Sequence, residues 1–484
     1  MFAPIEIPQQ IVGGIRMTQV LPFVENLRRS RASWFLSLTV SGFFITLFAL
    51  TNEAYVGISF VVLVGLLLSA LPRIRMAFLI ALLPLAHAGF GLSGFGGFGV
   101  FDLYAALFII IYLWRVVALE GFSTRTIPVL PLAFVPLLAF IPSLLNSVAM
   151  SESGKAFAQF LFSILLGMSF FSYLQREDER YRKLLLVLFV VVATIASLYG
   201  LYEASRSSIL GVMTGRAFFT LFGDVNYYAS FLLMAEAIAL GFLLISKKLF
   251  SRLFFAVSSL ALSIAIVSTV SRSALAVLIL VWLAFVGFLF FYEKGARKYL
   301  GPAILLGLVG VVGVLTLTDI GGKVVDLFTL SRRIETVIAG RDASLDQRMT
   351  ILEVTQRMIE AHPIIGSGFG AFEKTFSSFQ GGNLSTGFER SAHNSALRIL
   401  AETGIVGFVP SVAFIVVFLA YLAKGVRSAR SQTERIMSFS MLASISSFLL
   451  MSLSLDMLFE PHFWVVSGLA VAFSQSLTMQ YSAE

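Results

Sequence analysis

Residues 346–372 read DQRMTILEVTQRMIEAHPIIGSGFGAF, and after a Gly/Ser-rich span residues 389–407 read ERSAHNSALRILAETGIVG. This is the one long polar excursion in a chain built otherwise of apolar runs, and it holds two of the four histidines, His362 and His393. Leu345, Met349, Leu352 and Met358–Ile359 form an apolar stripe at helical spacing. A helix is therefore predicted from Leu345, with Ser344 as cap and Gln347 as capping-box partner. It must stop near Ala361, because His362 precedes Pro363 and a residue before proline avoids the helical region. Gly366, Gly368 and Gly370 predict a tight turn, and Gly381–Gly382 and Gly387 a mobile middle. A second helix is expected from near Ser391 to Gly404, with His393 in its first turn.

Taken as a whole the chain is too apolar for a soluble globule: 58% hydrophobic, 13% charged, mean hydropathy +0.90. Runs of about 18–20 apolar residues recur, each long enough to cross roughly 30 Å of hydrocarbon as a helix. They lack the short alternation of barrel strands, so the fold class is all-α, a polytopic integral membrane protein. Fourteen candidate spans lie at 33–50, 54–71, 76–91, 100–118, 127–146, 156–174, 184–203, 225–245, 253–270, 273–291, 299–318, 404–423, 436–455 and 462–478, and twelve to fourteen is the defensible range. The chain divides into a segment 1–32, helices over 33–203, helices over 204–318, a loop 319–403 carrying two or more helices, and helices over 404–484. The absence of cysteine excludes disulfides, thiolate catalysis and Cys-ligated metal. The first 30 residues lack a signal peptide's apolar core.

Alternating the connections sorts the basic residues. Arg28, Arg29, Arg31, Arg73, Arg75, Arg115, Arg125, Arg176, Arg180, Arg182, Lys183, Lys247, Lys248, Arg252, Lys294, Arg297, Lys298, Lys424, Arg427, Arg430 and Arg435 fall on one side. The short connections opposite carry only Lys155, Arg206, Arg216 and Arg272. By the positive-inside rule the first side is cytoplasmic and holds both termini, so the long loop is exterior. The net charge of +8 thus reports topology and not nucleic acid. The Gly-rich patch 89–99 is an exterior connection without the Lys or Ser/Thr of a phosphate loop.

This topology puts Arg216, Arg272, Arg348 and His393, from four separate parts of the chain, on the exterior face. A guanidinium is always charged and donates bidentate hydrogen bonds, which suits a diphosphate. An imidazole accepts a proton near neutral pH. Singly, each arginine reads as a snorkelling interface anchor and the histidine as a helix-end hydrogen-bonder; their convergence is what argues for a site. His362 reads as a structural helix-end residue, His462 as an interface residue and His87 as packing. Glu236 falls near the middle of its span, where charge is costly, and must be protonated, paired or part of an ion path. Glu203 and Asp102 lie near span ends. No HExxH or exterior acidic cluster points to a metal, since Asp342 and Asp346 are flanked by Arg341 and Arg348. No cofactor is expected.

At these residues the chain resembles the O-antigen ligase family, which also includes Wzy-type O-antigen and exopolysaccharide polymerases. The resemblance covers roughly residues 210–425: GRAFFTLFGDVNYYA from Gly215, SRSAL from Ser271, the run from Arg348 to Gly370, and His393-Asn394 followed after nine residues by Gly404-x-x-Gly407. It implies a metal-independent glycosyltransferase with a GT-C-like fold in the bacterial inner membrane. Its active site would be periplasmic, its donor an undecaprenyl-diphosphate-linked glycan and its acceptor a glycan or lipid A-core. On that resemblance Arg216 and Arg348 hold the diphosphate, with Arg272 as a third ligand. His393 takes the acceptor's proton, and Asn394 and Glu402 are orienting residues. Ligase and polymerase both remain open, as do the glycan and the linkage. The alternative from another class is a small-anion transporter of the bicarbonate type, which Glu236 would suit, although no inverted repeat is visible.

Topology is directly testable. Reporter fusions after Lys248, Lys298 and Arg430 should read cytoplasmic and fusions within 375–390 periplasmic; a cytoplasmic signal at 380 would remove the donor from reach.

Overall fold

The computed structural model describes residues 72–86, 99–116, 129–209, 222–269, 271–292, 343–380, 391–457 and 459–482. The expected spans at 33–50, 54–71 and 299–318, the Gly-rich patch up to Phe98, His87, Arg216 and the loop glycines 381, 382 and 387 lie outside the described residues.

All regular structure among the described residues is helical. In chain order α1 is Pro72–Leu82, α2 Val100–Arg115, α3 Phe134–Ala139, α4 Ile141–Leu145, α5 Met150–Leu174, α6 Glu179–Ile209 and α7 Val225–Ile245. Then follow α8 Leu249–Ser268, α9 Arg272–Tyr292, α10 Ala343–Ala361, α11 Phe372–Phe379, α12 Ser395–Ser428, α13 Gln432–Met451 and α14 Pro461–Ser482. Among the described residues six helices, α5 to α9 and α12, are long and apolar enough to cross a membrane. The protein is a polytopic all-α membrane protein.

One expected span differs. Residues 127–146 do not form a single helix but a 3-10 turn at Leu130–Ala133 followed by α3 and α4. Pro131, Pro136 and Pro142 explain the breaks, since each lacks a backbone N–H and crowds the preceding turn.

Helix α7 is the axle of the bundle. Every residue from Tyr228 to Phe242 is buried, which fits a helix apolar on all sides. Asp224 caps it, its Oδ1 accepting from the amides of Asn226 (2.6 Å) and Tyr227 (3.3 Å). Helices α8 and α13 pack along it, with α6, α9 and α12 to α14 completing the core. Glu236, midway along α7, accepts hydrogen bonds from Ser259 (2.7 Å) and Ser263 (3.2 Å) of α8. Helices α13 and α14 are punctuated by buried serines, among them Ser440, Ser444, Ser447 and Ser474. Ser440 donates to the Ile436 carbonyl of its own helix (2.7 Å), whereas Ser444 donates across to the Met234 carbonyl of α7 (3.0 Å).

The polar excursion folds back onto the bundle at a break in α12. Gly404 has φ 58° and ψ −165°, a conformation that interrupts the helix and that only glycine adopts readily. The break frees carbonyls before it and amides after it, which in the membrane must find partners. The turn after α10 supplies all four. Ser367 and Gly368 amides donate to the Ala401 (3.1 Å) and Glu402 (2.9 Å) carbonyls, while Ile405 and Val406 amides donate to the Pro363 (2.9 Å) and Ile364 (3.1 Å) carbonyls. Contact is so close that a Cβ on Gly404 would lie 2.3 Å from the Ile364 carbonyl oxygen, and one on Gly366 2.3 Å from the Glu402 carbonyl. The turn also docks on the first half of the chain. Asn146 donates to the Gly366 carbonyl (2.8 Å), the Phe369 amide donates to Ser143 Oγ (3.1 Å), and the Phe369 ring packs on Phe140, Phe160 and Phe459.

Gly404→Ala should therefore lower stability by about 2 kcal/mol or more, from strain and the clash with backbone. Gly287→Ala in α9, where an added Cβ meets nothing within 4 Å, is the control. Melting temperature and yield of purified protein check this: equal loss in both variants would show that the Gly404 geometry is dispensable.

Candidate functional site

Helix α10 ends at Ala361 as its sequence dictates, with His362 half-buried beside it and its Nδ1 3.5 Å from Asn146 Nδ2. Ser344, expected as the cap, lies inside the helix, which already includes Ala343. Arg348 is exposed on α10. One turn on, Ile351, Val354 and Met358 form a small core with Phe372 and Phe376 of α11, Ala401 of α12 and Ala392. The same core thus joins the helix of Arg348 to the residue preceding His393.

Helix α12 begins at Ser395, later than expected, because Asn394 takes the capping position. Its Oδ1 accepts from the amides of Ala396 and Leu397, both at 3.0 Å. His393 consequently stands before the helix and not in its first turn, with a positive φ of 47° that few non-glycine residues adopt. It is half-buried, and its amide donates to Ser391 Oγ (3.4 Å).

A run of hydrogen bonds connects this segment to the other helix ends. Ser391 Oγ donates to Asp456 Oδ2. The Asp456 backbone carbonyl accepts from the Tyr227 hydroxyl of α7 (2.9 Å). Next to Tyr227, Asn226 Oδ1 accepts from Ser271 Oγ (2.7 Å), and Ser271 immediately precedes exposed Arg272. The turn before α9, the start of α7, the turn after α13 and the His393 segment therefore meet at one end of the bundle. Ser395 strengthens the junction: its amide donates to the Ser452 carbonyl, its Oγ donates to the Leu455 carbonyl and accepts from the Met457 amide, each at 2.9 Å.

Below the junction lies a buried charge network. Arg398 Nε donates to Glu402 Oε1 (3.1 Å), and Arg398 Nη1 stands 3.7 Å from Asp456 Oδ2. Glu402, fully buried, also accepts from the Phe372 amide (3.1 Å), so it fastens α11 to α12. The structure thus places Glu402 in a structural ion pair and Asn394 at a helix cap. Sequence reasoning missed Arg398 and Asp456, although the i, i+4 spacing of Arg398 and Glu402 on a helix was a usable signal. His462 also differs from expectation. It is buried and not interfacial, with Nδ1 3.3 Å from Glu460 and Nε2 3.2 Å from Ser230 Oγ, between the rings of Phe231 and Phe448. Among the described residues no group of three His, Asp or Glu could hold a metal ion.

An apolar cavity of about 450 Å³ opens directly beside the cap of α12. It starts at Ser395 and Ala396 and descends between α3, α5, α12, α13 and α14, past Ile399, Phe408, Ile415 and Leu419.

Removing Arg398 alone would strand the buried Glu402 carboxylate. Arg398→Met should cost about 3–5 kcal/mol, and Arg398→Met with Glu402→Gln should recover much of it. A double-mutant cycle read by thermal unfolding checks this; additive losses would mean the two side chains are not coupled.

Residues 256–412, about a third of the chain, match a family model described as O-antigen ligase. The match takes in Arg272, Arg348, His393, Asn394 and Glu402. None of the curated proteins compared with the chain matches it.

Proposed function

We infer that the chain, whose residues 256–412 match the O-antigen ligase family model, is a periplasm-facing membrane glycosyltransferase using an undecaprenyl-diphosphate-linked glycan as donor. The observation that carries this reading is the meeting of the Arg272 turn and the His393 segment beside an apolar cavity. The apolar lining suits the part of a polyprenyl tail nearest its diphosphate, which has no polar groups to satisfy. Its diphosphate would then lie at the junction, where Arg272, Arg348 and Arg216 are the candidate cations.

In the step we infer, the imidazole of His393 removes the proton from an acceptor hydroxyl. The hydroxyl oxygen bonds to the anomeric carbon as the bond from that carbon to the diphosphate oxygen breaks. Undecaprenyl diphosphate departs with the electron pair, and inversion at the anomeric carbon follows from attack opposite the leaving group. Guanidinium groups lower the barrier by stabilising the charge that grows on the diphosphate oxygen. The acceptor is a hydroxyl of another glycan or of lipid A-core.

Purified protein, a synthetic undecaprenyl-diphosphate glycan and an acceptor supply the assay. His393→Gln keeps a hydrogen-bonding side chain but cannot act as a base, so turnover should fall about 10²–10⁴-fold while the protein stays folded. Arg348→Lys should retain more activity than Arg348→Ala, since charge is kept and the fork lost. Retention of more than about a tenth of wild-type turnover in His393→Gln would rule out His393 as the base.

A further inference from the structure

At the opposite end of the bundle a second set of cations is gathered that the transfer reaction does not use. Helix α5 begins beside the Gly370 turn, where a Cβ on Gly370 would touch Ala156, and ends at Tyr173 and Leu174, about 25 Å along its axis. Over the Tyr173 ring stand two guanidinium groups: Arg75 from α1 at 4.5 Å and Arg115 from the end of α2 at 4.3 Å. Arg75 also lies 5.6 Å from the centre of Phe108.

Arg75 is only 3% exposed, and its Nε and Nη1 have no hydrogen-bond partner. Stacking on aromatic faces stabilises a guanidinium but satisfies none of its in-plane donors. A buried cation with open donors is costly unless an anion completes it. The carboxylates of the adjoining turn are engaged elsewhere. Glu177 and Asp178 pair with Arg73 (2.7 and 3.1 Å), and Glu179 pairs with Lys183 (2.5 Å).

Depth identifies the anion. Trp114, next to Arg115 in the sequence, is 62% exposed, and the rings of Tyr112 and Tyr173 lie with centres 6.2 Å apart. Such aromatic residues sit at headgroup level in a bilayer. We propose that Arg75 and Arg115, framed by Tyr173, form a binding site for a phosphate group at the membrane boundary, remote from His393. Its source is either a phospholipid headgroup or free phosphate.

The test uses the full-length chain in uncharged detergent and phosphate-free buffer. Melting temperature is followed while inorganic phosphate, phosphatidylglycerol, diacylglycerol or potassium chloride is added. A saturable rise with a phosphate-bearing probe, absent with diacylglycerol and chloride, is the expected result. A rise with phosphatidylglycerol alone assigns the headgroup as the source; a rise with both assigns phosphate as sufficient. Arg75→Gln should weaken the apparent affinity about tenfold or more, the effect of losing charge-assisted hydrogen bonds. Absence of any saturable phosphate response in the wild type, or an unchanged response in Arg75→Gln and Arg75→Met, would overturn the site and leave Arg75 as a stacked cation.

Discussion

The break in α12 at Gly404 is the constraint from which the rest of the architecture follows. A helix interrupted within an apolar environment leaves backbone groups that water cannot reach. Here two carbonyls before the break and two amides after it are all met by one turn, residues 363–368. That turn can meet them only because Gly366 and Gly404 let two backbones approach without side chains between them. The polar excursion is therefore not appended to the bundle but stitched into it. Its other edge is held by Asn146 and Ser143 from the first half of the chain.

Rigidity at this seam passes upward to the candidate site. Glu402, whose carbonyl is part of the seam, ties α11 to α12 through the Phe372 amide and holds Arg398, which reaches Asp456. Asp456 in turn holds Ser391, and Ser391 accepts from the amide of His393. The backbone of His393 is thus tied, through Ser391, to Asp456 from another part of the chain. It is the backbone of His393 that is held in this way, which fixes where its side chain begins.

Much of the fold was legible because apolar run length is a strong local signal. The run at 225–245 is the helix Val225–Ile245, and the end of α10 before Pro363 follows from one proline. The region 127–146 was misjudged because hydropathy outweighed three prolines whose breaks the sequence displays openly. The burial of His462, the position of His393 outside its helix and the Arg398–Asp456 contact were not legible. Each depends on a partner from elsewhere in the chain, such as Ser230, Ser391 or Asp456, and no local pattern encodes that pairing. The four residues expected on one face were inferred from loop alternation. Three of them are described, and the turn before Arg272 is joined to the His393 segment through Tyr227 and Asp456.

The serines buried in α13 and α14 bear on how the chain is made. A helix enters a bilayer alone when its own apolar surface outweighs its polar groups. Helices α13 and α14 carry such polar groups on their buried faces. Ser444 finds its acceptor only on α7, and the hydrogen bond between His462 and Ser230 likewise joins α14 to α7. The last two helices are thus stabilised in lipid by a scaffold that synthesis has already delivered. α7 and the C-terminal pair therefore complete one another: polar groups of the pair are met on α7, and the buried surface of α7 is covered in turn by α13.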